Sequence, residues 1–204
     1  MGWSDRFVGK RDWPKDVEVH RYVPMPSHDP HLDDGAGPSI IVESKWRSKS
    51  GLTQWLEGVE FREAAENLPP NAYHDAFEVH FFVCAGSSEV RRKSAPISYV
   101  VRYYRPADDE RGFVEHYLAT HPAILGRLPA VQNVICYSPF SLPLVPGLTP
   151  SDCMLGNEVV FESLDALNAA LASPVRDELR RDFHQFPAFT GINTHFAMQR
   201  EQLR

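Results

Sequence analysis

The chain has 204 residues, 24% of them charged, and a net charge of −6, so its length allows one large domain or two small ones. No basic run or basic face stands out, which disfavours nucleic acid and anionic membranes as partners. No apolar run approaches the roughly 20 residues that span a bilayer. Three cysteines without metal-type spacing indicate a reducing compartment, so we expect a cytoplasmic protein without a metal site.

The first half of the chain predicts a strand over residues 17–23, a loop rich in Pro, His and Asp over 25–37, and a strand over 39–46. A helix over 50–67 follows, with Ser48 as its N-cap, and then a strand over 76–84. The loop lacks a spacing that would bring its His and Asp side chains together on a metal, so we expect it to be solvated.

The second half predicts a strand, a helix, two strands, a helix and a strand, which is the ferredoxin-like order. The polar stretch 85–95 is the best candidate for a boundary, which gives domains 1–90 and 91–204. The predicted bounds are 97–104, 108–127, 131–137, 155–161, 164–182 and 191–198, with a kink at His121-Pro122.

An internal repeat links the two halves at one constant offset without gaps. Trp13-Pro14 aligns with Leu128-Pro129, and His80-Phe81 aligns with His195-Phe196. The first copy lacks a clear first strand and most of its first helix. Because a bare sheet edge invites aggregation, we expect residues 3–9 or a partner's strand to cover it.

From about residue 94 to 198 the chain resembles the EthD family of the dimeric α+β barrel superfamily. The resemblance implies ferredoxin-like repeats whose two antiparallel sheets form an α+β barrel, a histidine facing the pocket, and a small, flat, oxygenated substrate. It leaves open whether the barrel closes within one chain or in a homodimer. The residues that carry it are Tyr103-Tyr104-Arg105-Pro106, Thr120-His121-Pro122, Leu128-Pro129, the junction that starts at Phe161, and Ala172-Ser173-Pro174.

Strand alternation predicts an apolar face toward the helices and a second face that lines the lumen of the barrel. The second face should combine carboxylate, imidazole and phenol groups, which suits a small-molecule site. Its predicted members are His20, Tyr22, Glu43, Glu78, His80, Ile135, Tyr137, Glu158, Val160, Asn193 and His195.

We therefore expect a cofactor-independent lyase or isomerase that acts on a small aromatic or cyclic compound. Histidine titrates near neutral pH, so His121 is the expected general base, with Tyr137 or His195 as the acid. Arg102 is the expected anchor for an anionic group. The predicted substrate contacts also include Tyr104, Glu158 and His80.

Structural roles for the same side chains stay open. Glu158 and His195 could form a hydrogen-bonded pair that joins the two halves, and His121 could cap helix carbonyls. Tyr137 could be a core aromatic residue, and Arg102 could pair with Glu158. A non-catalytic protein that binds a small molecule is the alternative function.

Overall fold

The computed structural model describes residues 13–35, 37–66, 68–90, 95–142 and 148–204, which contain nine strands and five helices. The strands are β1 (Glu18–Pro24), β2 (Ile41–Lys45), β3 (Tyr73–His74), β4 (Phe77–Phe82), β5 (Ile97–Tyr104), β6 (Asn133–Pro139), β7 (Thr149–Pro150), β8 (Cys153–Phe161) and β9 (Asn193–Gln202). The helices are α1 (Lys49–Leu56), α2 (Val59–Ala65), α3 (Glu110–Leu125), α4 (Leu164–Leu171) and α5 (Val175–Phe183).

Side-chain caps and proline set the helix limits. Ser48 and Ser163 accept hydrogen bonds from backbone N–H groups three residues later, as the sequence predicts. Asp109, one residue later than expected, caps α3. Pro174 separates α4 from α5, in agreement with the predicted break. The single helix predicted over 50–67 is wrong, because the chain leaves the helix between α1 and α2 near Gly58.

Seven strands form one curled antiparallel sheet in the order β2-β1-β9-β5-β8-β6-β4. Its central strands β9-β5-β8-β6, together with α3, α4 and α5, have the predicted ferredoxin-like order. The α+β fold class is therefore confirmed. The two predicted sheets join edge to edge, since β1 pairs with β9 and β4 pairs with β6.

The main hydrophobic core lies on the helix face, which is the side of the sheet that packs against α3, α4 and α5. Phe113, Tyr117 and Phe161 are fully buried there. Two smaller clusters lie on the opposite, lumen face. One is centred on Tyr137 and the other on Tyr22. A cavity between these clusters therefore has both aromatic and polar walls.

The sheet does not close into a barrel within the described residues. Strands β2 and β4 are its two edges, and both line the same large cavity. Residues 3–9, which the sequence suggests as a cover, lie outside the described ranges, as does part of the predicted boundary at 91–94. The division into two copies thus stays a prediction. No helix in the described ranges is long and apolar enough to cross a membrane.

Candidate functional site

The lumen face of the sheet borders a cavity of about 1860 Å³. This volume exceeds the ~300–1,000 Å³ of a typical small-molecule site, because the cavity continues past the open sheet edges toward α1. Polar side chains from six strands meet on one wall of this cavity. We call this set the lumen cluster: His20, Tyr22, Glu43, Lys45, Ser98, Tyr137, Glu158 and Arg200.

Glu158 is the centre of the lumen cluster and is 2% exposed. Its carboxylate accepts a hydrogen bond from Ser98 at 2.5 Å and another from Tyr137 at 2.6 Å. Tyr22 approaches the same carboxylate at 3.3 Å, and Arg200 Nε lies 3.7 Å from it. Burying a carboxylate this deeply would destabilise the fold unless hydrogen-bond donors surrounded it, and the strand register brings these donors to it.

Glu43 is the more exposed of the two carboxylates that border the cavity, with 19% of its side chain exposed against 2% for Glu158. Tyr22 donates a hydrogen bond to it at 2.8 Å, and the hydroxyl of Tyr137 lies 3.1 Å away. Lys45 adds an ion pair at 3.3 Å. Two carboxylates and two phenols therefore share a compact hydrogen-bond network on the cavity wall. Such a network can accept, hold and return a proton.

The two phenols of this network stay protonated. Burial, and then the charge of Glu158, raise the pKa of both Tyr22 and Tyr137 well above the ordinary value. Each hydroxyl therefore acts as a hydrogen-bond donor at neutral pH. A substrate oxygen that gains negative charge beside them would find donors already in place.

His20 is buried and neutral. Burial, and then the charge of Arg200, lower its pKa to about 3. Arg200 can only donate, so the 3.1 Å contact from its Nη2 makes Nε2 of His20 the acceptor and leaves the proton on Nδ1. That Nδ1–H lies 3.7 Å from Glu43 and has no hydrogen-bond partner among the described residues.

The pKa of His20 predicts acid sensitivity. Below about pH 6.5 His20 binds a proton in the unfolded chain, whereas in the folded chain it does so only near pH 3. The free energy of unfolding therefore falls as the pH drops through this window. From pH 7 to pH 5 we expect His20 to contribute a loss of about 2 kcal/mol. Urea unfolding at both pH values should show about 2 kcal/mol less loss in His20→Gln than in wild type. The exposed control His184→Gln should match wild type, and an equal loss in all three proteins would contradict the prediction.

Arg102 and Tyr104 also line the cavity, as predicted. The alternative pairing of Arg102 with Glu158 is not formed. Instead, the Arg102 guanidinium lies over the rings of Phe77 and Tyr137, with its Cζ atom 5.6 and 5.1 Å from their centroids. Tyr137 is thus more than a core aromatic residue, because its ring faces Arg102 and its hydroxyl faces the carboxylates.

The placement of His195 in the lumen is wrong, whereas His80, on the edge strand β4, borders the cavity although its strand position lies on the opposite face. His195 pairs in register with Val101 and lies beside Tyr99 on the helix face, where it contacts Asp34 at 2.8 Å. His80 pairs in register with Cys136, which belongs to the core under the helices, and it contacts Ser138. Glu78 and Asn193 share the faces of these two histidines, because side chains two apart in a strand point the same way. The proposed pair of Glu158 with His195 is therefore excluded.

His121 lies on the helix face, apart from the lumen cluster. It is 6% exposed, and its Nδ1 contacts Asp182 of α5 at 2.7 Å. Burial lowers the pKa of His121, and the hydrogen bond to Asp182 opposes that effect. The cavity beside it has a volume of only about 30 Å³, enough for one water molecule. The structure therefore does not bring His121 together with Tyr137, one of its two predicted acids, whereas His195, the other, borders the same small cavity.

Most of the described residues in the loop over 25–37 are exposed, as expected of a solvated segment, but two of its aspartates contact the helix face. The side chain of Asp29 is 6% exposed, because it accepts from the Tyr99 hydroxyl at 2.7 Å and pairs with Arg176 at 2.8 Å. Asp34 binds both the backbone and the ring of His195. The acidic residues of this loop thus compensate buried donors on the helix face.

Sequence reasoning missed Lys45, Ser98 and Arg200. Strand alternation could have found the first two, because Lys45 shares the face of Glu43 and Ser98 shares the face of Arg102. Arg200 lies two residues beyond the predicted end of the last strand. A longer strand would not have placed it in the lumen, because the predicted alternation puts the even-numbered positions of this strand on the helix face.

Comparisons with known proteins bear on the fold. No protein-family model and no curated protein sequence matches the chain. A solved anthrone oxidase-like protein matches with a TM-score of 0.64 and 15% identity, over 98% of this chain and 84% of that one. A candidate monooxygenase from Lactobacillus acidophilus has a TM-score of 0.48 and 11% identity, over 97% and 84% of the two chains. An EthD family protein from Bacillus halodurans has a TM-score of 0.39 and 19% identity, and covers 48% of this chain and 96% of its own.

The match to the anthrone oxidase-like protein covers almost the whole chain, but at an identity that shows the fold alone. This likeness agrees with the curled sheet and the helices described above. The chain therefore has an α+β barrel-type fold.

Proposed function

We propose that the protein is a cofactor-independent enzyme that moves protons on a small, flat, oxygenated ring compound bound in the lumen. The observation that carries the proposal is the pair of carboxylates, Glu43 and Glu158, joined by two protonated phenols on the cavity wall. Isomerisation and dehydration both begin with removal of a proton from carbon, and both benefit from donors at the developing oxyanion.

Glu43 is the general base in this proposal, because both carboxylates border the cavity but Glu43, with 19% of its side chain exposed, is more accessible than Glu158 at 2%. Glu43 takes a proton from a carbon that is conjugated with a substrate carbonyl. As Glu43 becomes neutral, the hydroxyls of Tyr22 and Tyr137 turn from the carboxylates and donate to the carbonyl oxygen as it becomes an enolate. The proton returns from Glu43 to a different carbon in an isomerisation; in a dehydration Tyr137 protonates the departing hydroxyl and regains a proton from Glu43.

Glu158 and Ser98 have a positioning role. The 2.6 Å hydrogen bond from Tyr137 to Glu158 fixes the phenol, and the 2.5 Å bond from Ser98 fixes the carboxylate in turn. A phenol held in this way is already oriented when the substrate arrives, which lowers the cost of stabilising the oxyanion.

The proton-transfer step can be tested without the natural substrate. Anthrone is a suitable probe because it is a flat ketone with acidic C10 protons, and a structural neighbour is described as anthrone oxidase-like. Anaerobic exchange of the C10 protons in D₂O, followed by NMR, should be faster with the protein than with buffer. Exchange at the buffer rate would overturn the proposal. Stabilisation by anthrone without exchange would instead indicate the alternative, a non-catalytic binding protein.

We also infer distant kinship with the EthD family and an origin by duplication. In support, the order from β5 to β9 is ferredoxin-like, and a proline follows the histidine of α3. In further support, the pairing of β1 with β9 mirrors that of β6 with β4, so strands that align in the repeat have equivalent partners. A reducing, cytoplasmic setting fits the three free, buried cysteines.

A further inference from the structure

Arg102 carries a positive charge that no side chain in the described part of the chain neutralises. Its Nη1 donates to the backbone oxygens of Val101 at 3.0 Å and Asn157 at 3.4 Å. No described carboxylate lies within ion-pair distance of it. Its Nε and Nη2 atoms have no hydrogen-bond partner among the described residues. Neither atom is fully buried, and the residue lines the cavity. These two donors are therefore accessible from the lumen.

The position of this guanidinium is built into the sheet. Gly156 lies beside it, and a Cβ atom there would be 2.7 Å from Nη1, so any larger residue would displace the arginine. The rings of Phe77 and Tyr137 support its flat side. An arginine that is stacked on rings and hydrogen-bonded at one nitrogen keeps its orientation, and its Nε and Nη2 edge matches the two oxygens of a carboxylate.

The charges of the lumen favour a monoanion. Its ionisable side chains that are not solvent-exposed include three cations, Lys45, Arg102 and Arg200, and two carboxylates, Glu43 and Glu158. His20 adds no charge at neutral pH. The net charge of these five groups is therefore plus one, which a single carboxylate on the ligand would neutralise. The exposed residues at the cavity rim, five acids and three bases, are screened by solvent.

Tyr137 connects this anion site to the proton-transfer network. Its ring centroid is 5.1 Å from Arg102 Cζ, and its hydroxyl is 3.1 Å from Glu43. We propose that the lumen takes a flat ring compound with one carboxylate, which Arg102 binds while the ring lies along Tyr137 toward Glu43. The reaction of such a ligand rests on the proposed function, whereas its binding by Arg102 does not.

The binding test uses 2-naphthoate and its neutral isostere 2-naphthamide, titrated by calorimetry into the wild-type protein at pH 7. A charge-assisted contact to one guanidinium corresponds to a preference of ~10- to 100-fold, so we expect naphthoate to bind at least tenfold more tightly. Equal affinities for the two compounds, or no binding of either, would overturn the inference. The wild-type comparison needs no variant to fold.

Two variants locate the contact. Arg102→Gln should remove the preference for naphthoate and leave the affinity for naphthamide within about threefold, and Gly156→Ala should weaken the preference by displacing the arginine. Arg127→Gln removes an exposed charge at the end of α3 and serves as the control, with the wild-type preference retained. A preference that survives Arg102→Gln in a folded protein would overturn the assignment.

The proposed function and this inference fail separately. Anthrone has no carboxylate, so accelerated exchange of its protons together with equal binding of the two naphthyl compounds would refute only the anion site. Preferential binding of naphthoate without any proton exchange would refute only the chemistry.

Discussion

Replacing Glu43 with glutamine is expected to slow exchange of the C10 protons of anthrone by about 10²–10⁴-fold, the usual contribution of one general acid–base group. The amide keeps the shape of the side chain, but it cannot accept the proton from carbon. Its oxygen can still accept the 2.8 Å hydrogen bond from Tyr22, so the fold should persist. Exchange rates followed by NMR, with a thermal melt of each variant, check this prediction.

Two other substitutions sharpen that result. Glu201→Gln makes the same chemical change in an exposed residue paired with Arg21, and its exchange rate should equal that of wild type. His121→Asn distinguishes the two candidate bases. The sequence pattern indicates His121, and the proposed mechanism assigns Glu43. A large loss at His121 with a small loss at Glu43 would refute the lumen mechanism.

Replacing Glu158 with glutamine is expected to lower the free energy of unfolding by about 3 kcal/mol, since removal of one partner from a buried charge pair leaves the other uncompensated. Arg200, whose side chain is 7% exposed, would lose the carboxylate 3.7 Å from its Nε. The amide would also place its NH₂ group against one of the hydroxyls of Ser98 and Tyr137, which now donate to different oxygens of the carboxylate.

The matched control for Glu158→Gln is Glu178→Gln. Glu178 pairs with Arg127 at the surface, where an ion pair is worth about 0–1 kcal/mol. Urea unfolding of the three proteins at pH 7 gives the comparison. A loss at Glu158 no larger than that at Glu178 would mean that the lumen cluster does not stabilise the fold.

Local sequence signals predicted the strands and caps that border the site. The bounds of β5 agree fully with the prediction, because β-branched and aromatic residues fill 97–104 and a proline follows. Alternation placed Tyr22, Glu43, Tyr137 and Glu158 in the lumen correctly. These four side chains share the lumen face, although apolar residues such as Ile135 and Val160 of the same strands lie on that face too.

Alternation failed in β4 and β9, because the lumen is not uniformly polar. Phe196 and Met198 face the lumen beside Tyr22, whereas His195 lies on the helix face with Asp34 as its partner. An apolar residue in a strand indicates a buried face, but both faces of this sheet are buried there. The contact between Asp34 and His195 spans the chain, and no local pattern encodes it.

The most direct test of a lumen site is a crystal structure of the protein with 2-naphthoate. We expect the carboxylate of 2-naphthoate within hydrogen-bond distance of Arg102 and its ring beside Tyr137 and Glu43. Density for the ligand between the sheet and the helices, next to His121, with the lumen free of ligand, would contradict it.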